Sequence, residues 1–136
     1  MTRINVIDPK TLTDSHLLAE HREVTRVPNT INSGKANLNA KIPPQYTLGK
    51  GHVSFYYNKL KWLHERYNAV HKECLERGFN VVYKWPDSVP EHLYNGAEIH
   101  DEAYVMNRER VLERFPKNAK MFGVGITIEQ YLEVIK

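Results

Sequence analysis

The chain has 136 residues, of which 41% are hydrophobic and 26% are charged, and its net charge at neutral pH is +3. This length is typical of one domain with a modest core, so we expect a single domain over residues 1–136. The mild basic excess permits a nucleic-acid partner. The chain shows no signal peptide and no apolar run near the ~18 residues that a membrane span needs, so we expect a cytoplasmic protein.

The start of the chain carries a small second residue, Thr2, which a methionine aminopeptidase would normally expose as the new N-terminus. An α-amino group has an unperturbed pKa of about 7.7–8.0, so a useful fraction is the free amine near neutral pH. Such an amine can attack an electrophilic carbon and form a Schiff base. Residues 3–13 are predicted to be an extended lead-in with a turn at Asp8-Pro9.

The first predicted helix covers residues 14–27, with Asp14 or Ser15 as its cap and Pro28 as its stop. A helical wheel at roughly 100° per residue predicts two faces. The inward set is Leu17, Leu18, His21, Val24 and Thr25, and the outward set is His16, Ala19, Glu20, Arg22, Glu23 and Arg26.

The predicted outer face of this helix places a carboxylate, Glu23, between Arg22 and Arg26. One interpretation is a solvated surface with ion pairs between residues three and four apart. The alternative is a site in which the carboxylate manages protons and the arginines hold an anionic substrate. On the wheel Glu20 is a second exposed carboxylate, and as a solvated position it should tolerate replacement.

Residues 28–51 are predicted to form a long loop, with one helical turn around residues 33–38. Its lysines, Lys35, Lys41 and Lys50, are either solvated or in contact with DNA phosphates. The Gly49-Lys50-Gly51 stretch resembles a phosphate-binding loop only superficially, because it lacks the Walker spacing. The glycines are better explained by a tight entry into the helix that follows.

The second predicted helix spans residues 53–77 and ends at Gly78. One apolar stripe consists of Tyr56, Leu60, Leu63, Tyr67, Val70 and Cys74, and a second consists of Phe55, Trp62 and Ala69. A helix that is apolar on two sides is buried on two sides, so we expect it to be the central strut. Its aromatic residues are interpreted as core rather than as a platform for stacking bases.

Cysteine and histidine usage predicts no metal site. The single cysteine, Cys74, rules out an intramolecular disulfide and lies on an apolar stripe, as a packed core thiol would. His52, His64 and His71 are not accompanied by an H-E-x-x-H or C-x-x-C pattern.

The remainder is predicted to be a loop over residues 79–96, a third helix over residues 98–115, a glycine turn at residues 123–125 and a short helix over residues 128–135 capped by Thr127. The third helix carries a basic set, Arg108, Arg110 and Arg114. The predicted fold class is therefore all-α: one compact domain of three main helices, with long loops and a free N-terminus.

Two blocks of the sequence follow long patterns. The first is the opening MTRIN with H-L-x-A-E-x-R-E-x-x-R-V over residues 16–27. The second covers residues 48–81 and contains L-G-x-G-H-V and E-C-L-x-R-G-F-N. Both blocks, in this order, resemble the bacteriophage endonuclease V family of pyrimidine-dimer DNA glycosylases, and together they cover roughly half of the chain.

The resemblance implies a mechanism. In that family the threonine amine attacks C1′ of the 5′ sugar of a cyclobutane pyrimidine dimer, an imine forms, and β-elimination then cuts the backbone. Thr2 and Glu23 match the two catalytic positions. The resemblance also implies DNA-binding roles for Arg3, Arg22, Arg26 and His16, and weaker ones for Lys35, Lys50, Arg108, Arg110 and Arg114.

The implied partner is double-stranded DNA that contains pyrimidine dimers or abasic sites, bound by a monomer without a metal or organic cofactor. The tail after Lys117 contains Phe122 and Tyr131 but not the Trp- and Tyr-rich segment of the family's best-known member. Two alternatives therefore stay open. One is a glycosylase/lyase for another lesion or for abasic sites, and the other is a non-catalytic DNA-binding relative.

Overall fold

A computed structural model describes residues 4–136, which form five α-helices and a two-stranded antiparallel hairpin. The helices are α1 (Asp14–Val24), α2 (Arg26–Asn32), α3 (Leu60–Glu76), α4 (Asp101–Glu113) and α5 (Ile128–Ile135); the strands are β1 (Lys120–Met121) and β2 (Val124–Gly125). Because each strand has two residues, the predicted all-α class is confirmed. Within residues 4–136, no helix combines the length and the apolar character needed to cross a lipid bilayer.

Helix α3 is the central strut that the sequence predicts. Its first half packs in one hydrophobic cluster through Leu60, Leu63 and Tyr67, and its second half packs in another through Val70 and Cys74. All five side chains are fully buried, so the predicted first stripe is confirmed. Burial raises the pKa of the Cys74 thiol to about 11, as expected for a core thiol.

The second predicted stripe of α3 is only partly right. Phe55 is buried, but Trp62 is half-buried and Ala69 is exposed. The second buried side carries Arg66 and Glu73 instead. A hydropathy pattern cannot predict that these two charged residues are buried, because charged groups are buried only when partners elsewhere in the fold satisfy them.

Helix α3 begins at Leu60 rather than at residue 53. A 3₁₀ turn, Ser54–Tyr56, precedes it, and Lys59 interrupts the helical backbone with φ −131° and ψ 39°. The open amides of Lys61 and Trp62 both donate to the carbonyl of Asn95. The helix end at Gly78 is confirmed, since this residue has φ +83° and can follow the last turn without a Cβ penalty.

The sequence predicts that Pro28 ends the first helical region, but this prediction is wrong. It lies in the first turn of α2, where its missing N–H would have no helical partner in any case. A proline ring clashes with the carbonyl four residues earlier, which here belongs to Val24, the last residue of α1. The chain therefore breaks at Thr25 and starts a new helix.

The cap of α1 is Thr13, whose hydroxyl oxygen accepts from the His16 N–H at 3.4 Å, and not Asp14 or Ser15. The Asp14 carboxylate has another role. It accepts from the backbone N–H groups of Phe122 and Gly123 at 3.0 and 2.8 Å and pairs with Arg77 at 2.9 Å. Asp14 thus ties the hairpin to the start of α1.

The outer face of α1 is narrower than predicted. His16, Ala19 and Glu20 are 4%, 3% and 0% exposed, so their predicted outward placement is wrong. Glu20 is inside because Arg66 of α3 forms a close ion pair with it at 2.7 Å. Arg22 and Arg26 are exposed, as predicted.

Other boundaries differ in detail. The predicted helical turn at residues 33–38 does not form, and that stretch is irregular. Helix α4 is shorter at both ends than residues 98–115. The glycine turn is a hairpin whose turn residues, Phe122 and Gly123, both have positive φ, as a type I′ turn requires. Helix α5 and its Thr127 cap are confirmed, and Gln130 completes a capping box.

Candidate active site

The first described segment, residues 4–7, is buried among the helices. Side chains satisfy its backbone groups. The Oδ1 atom of Asn107 on α4 accepts from the N–H groups of Val6 and Ile7 at 2.7 and 3.1 Å, and its amide nitrogen donates to Asn5 Oδ1 at 2.7 Å. Because Asn107 is fully buried, these bonds have no competing water.

A buried ion pair also holds residues 4–7 in place. Arg66 donates through Nε and Nη2 to the Glu20 carboxylate at 2.7 and 2.9 Å, and also donates to the carbonyl of Ile7. Glu20 in turn accepts from the Asn5 side-chain amide at 2.9 Å. Helices α1 and α3 therefore hold the start of the chain between them.

Glu23 opens on a cavity of about 310 Å³ at the junction of α1 and α2. The cavity is lined by Ile4, Glu23, Arg26, Val27, Thr30, Val53 and Tyr57. The Glu23 side chain is 21% exposed and approaches Arg26 Nη1 at 3.3 Å. The partly exposed Glu23 side chain thus shares a cavity with Ile4, which follows Thr2 and Arg3 in the chain. Thr2 and Arg3 themselves lie outside the described residues.

Arg22 lines a second cavity, of about 480 Å³, on the other side of α1. Its lining residues are His21, Arg22, Thr25, Asn29, Asn80, Val81, Val82 and Lys84. The two cations here, Arg22 and Lys84, suit an anionic group. Lys84 is not among the sequence-predicted residues, because it lies in an irregular segment where no periodicity marks its direction.

His21, at the edge of this second cavity, forms a contact between α1 and α3. Its Nε2 atom lies 3.0 Å from His71 Nδ1, so one imidazole donates and the other accepts. Burial, and then the charges of His71, Lys84 and Arg22, lower the pKa of His21. The neutral form of this imidazole is therefore favoured in the folded protein.

The other predicted DNA-binding residues are scattered. His16 is buried, burial lowers its pKa, and it lies against the backbone of Arg114, so its predicted surface position is wrong. Lys35, Lys50 and Arg114 are exposed, and Arg108 and Arg110 are half-buried on α4. Neither of the two cavities has any of these six residues in its lining. The structure brings Glu23 and Arg26 together at the first cavity, whereas Arg22 lines the second.

No group of three or more His, Cys, Asp or Glu side chains among residues 4–136 is arranged to hold a metal ion. His21 and His71 bring two imidazole nitrogens to 3.0 Å, but these nitrogens are hydrogen-bonded to each other.

Comparison with known families bears on this site directly. A family model described as pyrimidine dimer DNA glycosylase matches residues 1–87, which is more than half of the chain. The chain belongs to the pyrimidine dimer DNA glycosylase family. The matched range includes Thr2, Arg3, the helices α1 to α3 and both cavities, whereas α4, the hairpin and α5 lie beyond it. Membership implies that the substrate is DNA containing pyrimidine dimers.

Proposed function

We propose that this protein cleaves the glycosidic bond of the 5′ base of a cyclobutane pyrimidine dimer with the Thr2 amine as nucleophile, and then cuts the DNA backbone as an AP lyase. The observation that carries the proposal is the shared cavity: Glu23 opens into the same space that Ile4 lines, two residues after Thr2. An N-terminal amine and a carboxylate are the two groups that this chemistry needs.

The proposed reaction begins with attack of the Thr2 nitrogen on C1′, while the bond from C1′ to the base breaks and the base leaves with the electron pair. Proton transfer and ring opening give an imine between C1′ and the enzyme. The imine is an electron sink that acidifies the C2′ protons. Loss of one of these protons expels the 3′ phosphate, and water then releases the amine.

Glu23 has two tasks in this scheme. Its carboxylate stabilises the cationic sugar as the base departs, and it accepts or returns protons during ring opening. The neighbouring cations hold the DNA. Arg26 is 67% exposed beside Glu23, and Arg22 opens on the other cavity, so phosphates on either side of the reacting sugar can meet a guanidinium.

A lysine is the competing nucleophile, and Lys59 is the best candidate, because burial lowers the pKa of its amine. Its Nζ already donates to the Phe55 carbonyl at 2.8 Å and to Asn58 Oδ1 at 2.9 Å. It lies over the Phe55 ring at 4.0 Å, and it does not line the Glu23 cavity. These contacts favour Thr2.

Borohydride trapping tests the proposal, because borohydride reduces an imine to a stable covalent adduct. With a dimer-containing duplex, the unmodified protein should form the adduct, and N-terminal acetylation or one extra residue before Thr2 should abolish it. Lys59→Arg is the matched control and should trap normally. Undiminished trapping after N-terminal blocking, with loss in Lys59→Arg, would reassign the nucleophile to Lys59.

A second candidate is a glycosylase/lyase of the same mechanism that acts on another lesion or on abasic sites. The observation that favours it is the end of the family match at residue 87, which leaves α4, the hairpin and α5 outside the matched range. A panel of duplexes with a dimer, an abasic site and oxidised bases separates the two candidates. A non-catalytic DNA-binding relative would bind these duplexes but would form no covalent adduct with any of them.

A further inference from the structure

The loop before α3 has a backbone geometry that favours glycine at two positions. Gly49 and Gly51 have φ values of +71° and +88°. A Cβ on Gly51 would also lie 2.9 Å from Pro43 Cγ, closer than van der Waals contact permits. The loop closes on itself through a bond from the His52 N–H to the Gly49 carbonyl at 3.1 Å. This turn delivers the His52 side chain to the interior, where it is 5% exposed.

Both ring nitrogens of His52 have defined neighbours. Nδ1 lies 2.8 Å from the carbonyl oxygen of Thr47, which can only accept, so Nδ1 carries the proton. Nε2 lies 3.2 Å from the backbone N–H of Ile4, which can only donate, so Nε2 offers its lone pair. One neutral tautomer satisfies both contacts.

We propose that His52 is a positioning residue for the N-terminal nucleophile, acting through the backbone of Ile4. This inference rests on the proposed function. Ile4 is the described residue nearest to Thr2 and lines the Glu23 cavity. Bond lengths keep the Thr2 nitrogen within about 9 Å of the Ile4 Cα atom. Fixing that atom therefore restricts the volume that the amine explores, and a misplacement of about 1 Å can cost 10²-fold in rate.

Among the described residues, few groups near His52 could take its place as the acceptor for the Ile4 N–H. The rings of Tyr46 and Tyr56 face it edge-on, with centroids at 5.5 and 5.9 Å. Burial raises the pKa of both tyrosines, so their hydroxyls stay protonated at neutral pH. Tyr46 also reaches the Ile4 carbonyl, but at 3.5 Å. Two charged groups, Glu20 and Arg66, act on both tyrosines and neutralise each other in their own ion pair.

The experiment compares His52→Asn with His52→Gln. An asparagine amide can reach the place of Nδ1 and keep the Thr47 contact, but it has no acceptor for the Ile4 N–H. A glutamine amide oxygen reaches the place of Nε2 and keeps the acceptor. With single-turnover borohydride trapping on a dimer-containing duplex, we expect His52→Asn to be slower by about 10-fold or more, and His52→Gln to be within about threefold of the unmodified protein. The dissociation constant for DNA should not change.

Tyr131→Phe is the matched control. It removes one hydrogen bond from a buried side chain to the backbone, from Tyr131 to the Thr11 carbonyl at 2.6 Å, in the other hydrophobic cluster. It should lower the melting temperature and leave trapping unchanged. His52→Gln gives a second result that does not require the Asn variant to fold, because trapping by the Gln variant that is slower than that of the unmodified protein by about 10-fold or more would overturn the proposal.

Each outcome decides a different question. Equal trapping rates in the Asn and Gln variants, or rates that follow the melting temperature across all three variants, would make His52 a purely structural residue. If the unmodified protein forms no adduct at all, the proposed function itself fails.

Discussion

Two carboxylates three residues apart on α1 have opposite surroundings. Glu20 is 0% exposed and binds the Nε and Nη2 atoms of Arg66, which is 6% exposed, at 2.7 and 2.9 Å. Glu23 is 21% exposed and approaches Arg26, which is 67% exposed, at 3.3 Å. The inner pair (Glu20 and Arg66) closes the core around residues 4–7, whereas the outer pair (Glu23 and Arg26) lines a cavity. Identical residue types are thus buried in the core in one place and line an open cavity in the other.

The difference follows from desolvation. Removing one member of a buried ion pair leaves an uncompensated charge in the interior and costs about 3–5 kcal/mol. An exposed pair is worth about 0–1 kcal/mol, because water screens it and its side chains lose entropy. The outer pair is therefore expected to add less to folding than the inner pair does.

The largest expected effect comes from breaking the inner pair. Glu20→Gln should lower the free energy of unfolding by about 3 kcal/mol, since Arg66 keeps its charge and loses its counterion. Urea denaturation followed by circular dichroism measures the change. This expectation replaces the sequence-based view of Glu20 as a tolerant surface position. The double variant Glu20→Met/Arg66→Met should regain part of the loss; a Gln variant as stable as the parent would mean that the pair is solvated.

The next effect concerns the outer carboxylate. Glu23→Gln keeps the shape and removes the charge, so single-turnover glycosylase rates on a cyclobutane-dimer duplex should fall on the order of 10²-fold. Binding should persist or tighten, because a negative charge near phosphates is lost. The free energy of unfolding should change by no more than about 1 kcal/mol. A rate within threefold of the parent, at unchanged stability, would remove Glu23 from the mechanism.

The contrast between these carboxylates also marks how far the sequence could predict the structure. Local sequence signals were sufficient to predict α5, which begins directly after its cap at Thr127, and the buried apolar stripe of α3. The closeness of Glu23 to Arg26 follows from helical spacing alone. The burial of Glu20 could not be predicted in this way, because its partner Arg66 lies 46 positions away and no local pattern indicates that a charged residue is buried.

Pro28 and His52 illustrate two further limits. A proline predicts a helix end, but whether the chain stops or starts a new helix depends on where the broken turn falls. The role of His52 depends on a bond to Ile4 across 48 positions. The catalytic assignment of Thr2 and Glu23 came from the family resemblance, since helix periodicity by itself also fits a solvated face.

A smaller effect is expected on DNA binding when the cations that line the two cavities are replaced. Arg22→Ala and Arg26→Ala should each weaken binding of damaged duplex and flatten the dependence of log affinity on log salt concentration by roughly one unit. Lys84→Ala should do the same, because Lys84 lines the cavity of Arg22. The measurement is fluorescence anisotropy over a salt series.

Lys136→Ala is the control for this series, because its ammonium is already paired with Glu133 of α5 at 2.8 Å. It should leave the salt slope unchanged. If Arg26→Ala resembles this control in both affinity and slope, then Arg26 is only a surface partner of Glu23.

The smallest effect concerns His21, which lies between the two carboxylates in the sequence and bonds to His71 across α1 and α3. Burial, followed by the nearby positive groups, lowers the pKa of His21 in the folded protein below the usual value of about 6.5 for a histidine. The unfolded chain therefore binds a proton more readily than the folded one as the pH falls below about 6.5. The stability that neutral His21 contributes is fully present above that pH and is lost as the pH falls towards the folded pKa.

His21→Asn separates this contribution from those of His16 and His64, whose pKa values burial also lowers. At about pH 7.5 the variant should be less stable than the parent, because the bond to His71 is lost. At about pH 5.5 the gap should be smaller, since the parent has lost stability that the variant never had. Urea denaturation of both proteins at the two pH values measures the gap. A gap that stays constant or widens on acidification would mean that His21 is protonated in the fold, and the second cavity beside Arg22 would then carry one more positive charge than this structure assigns to it.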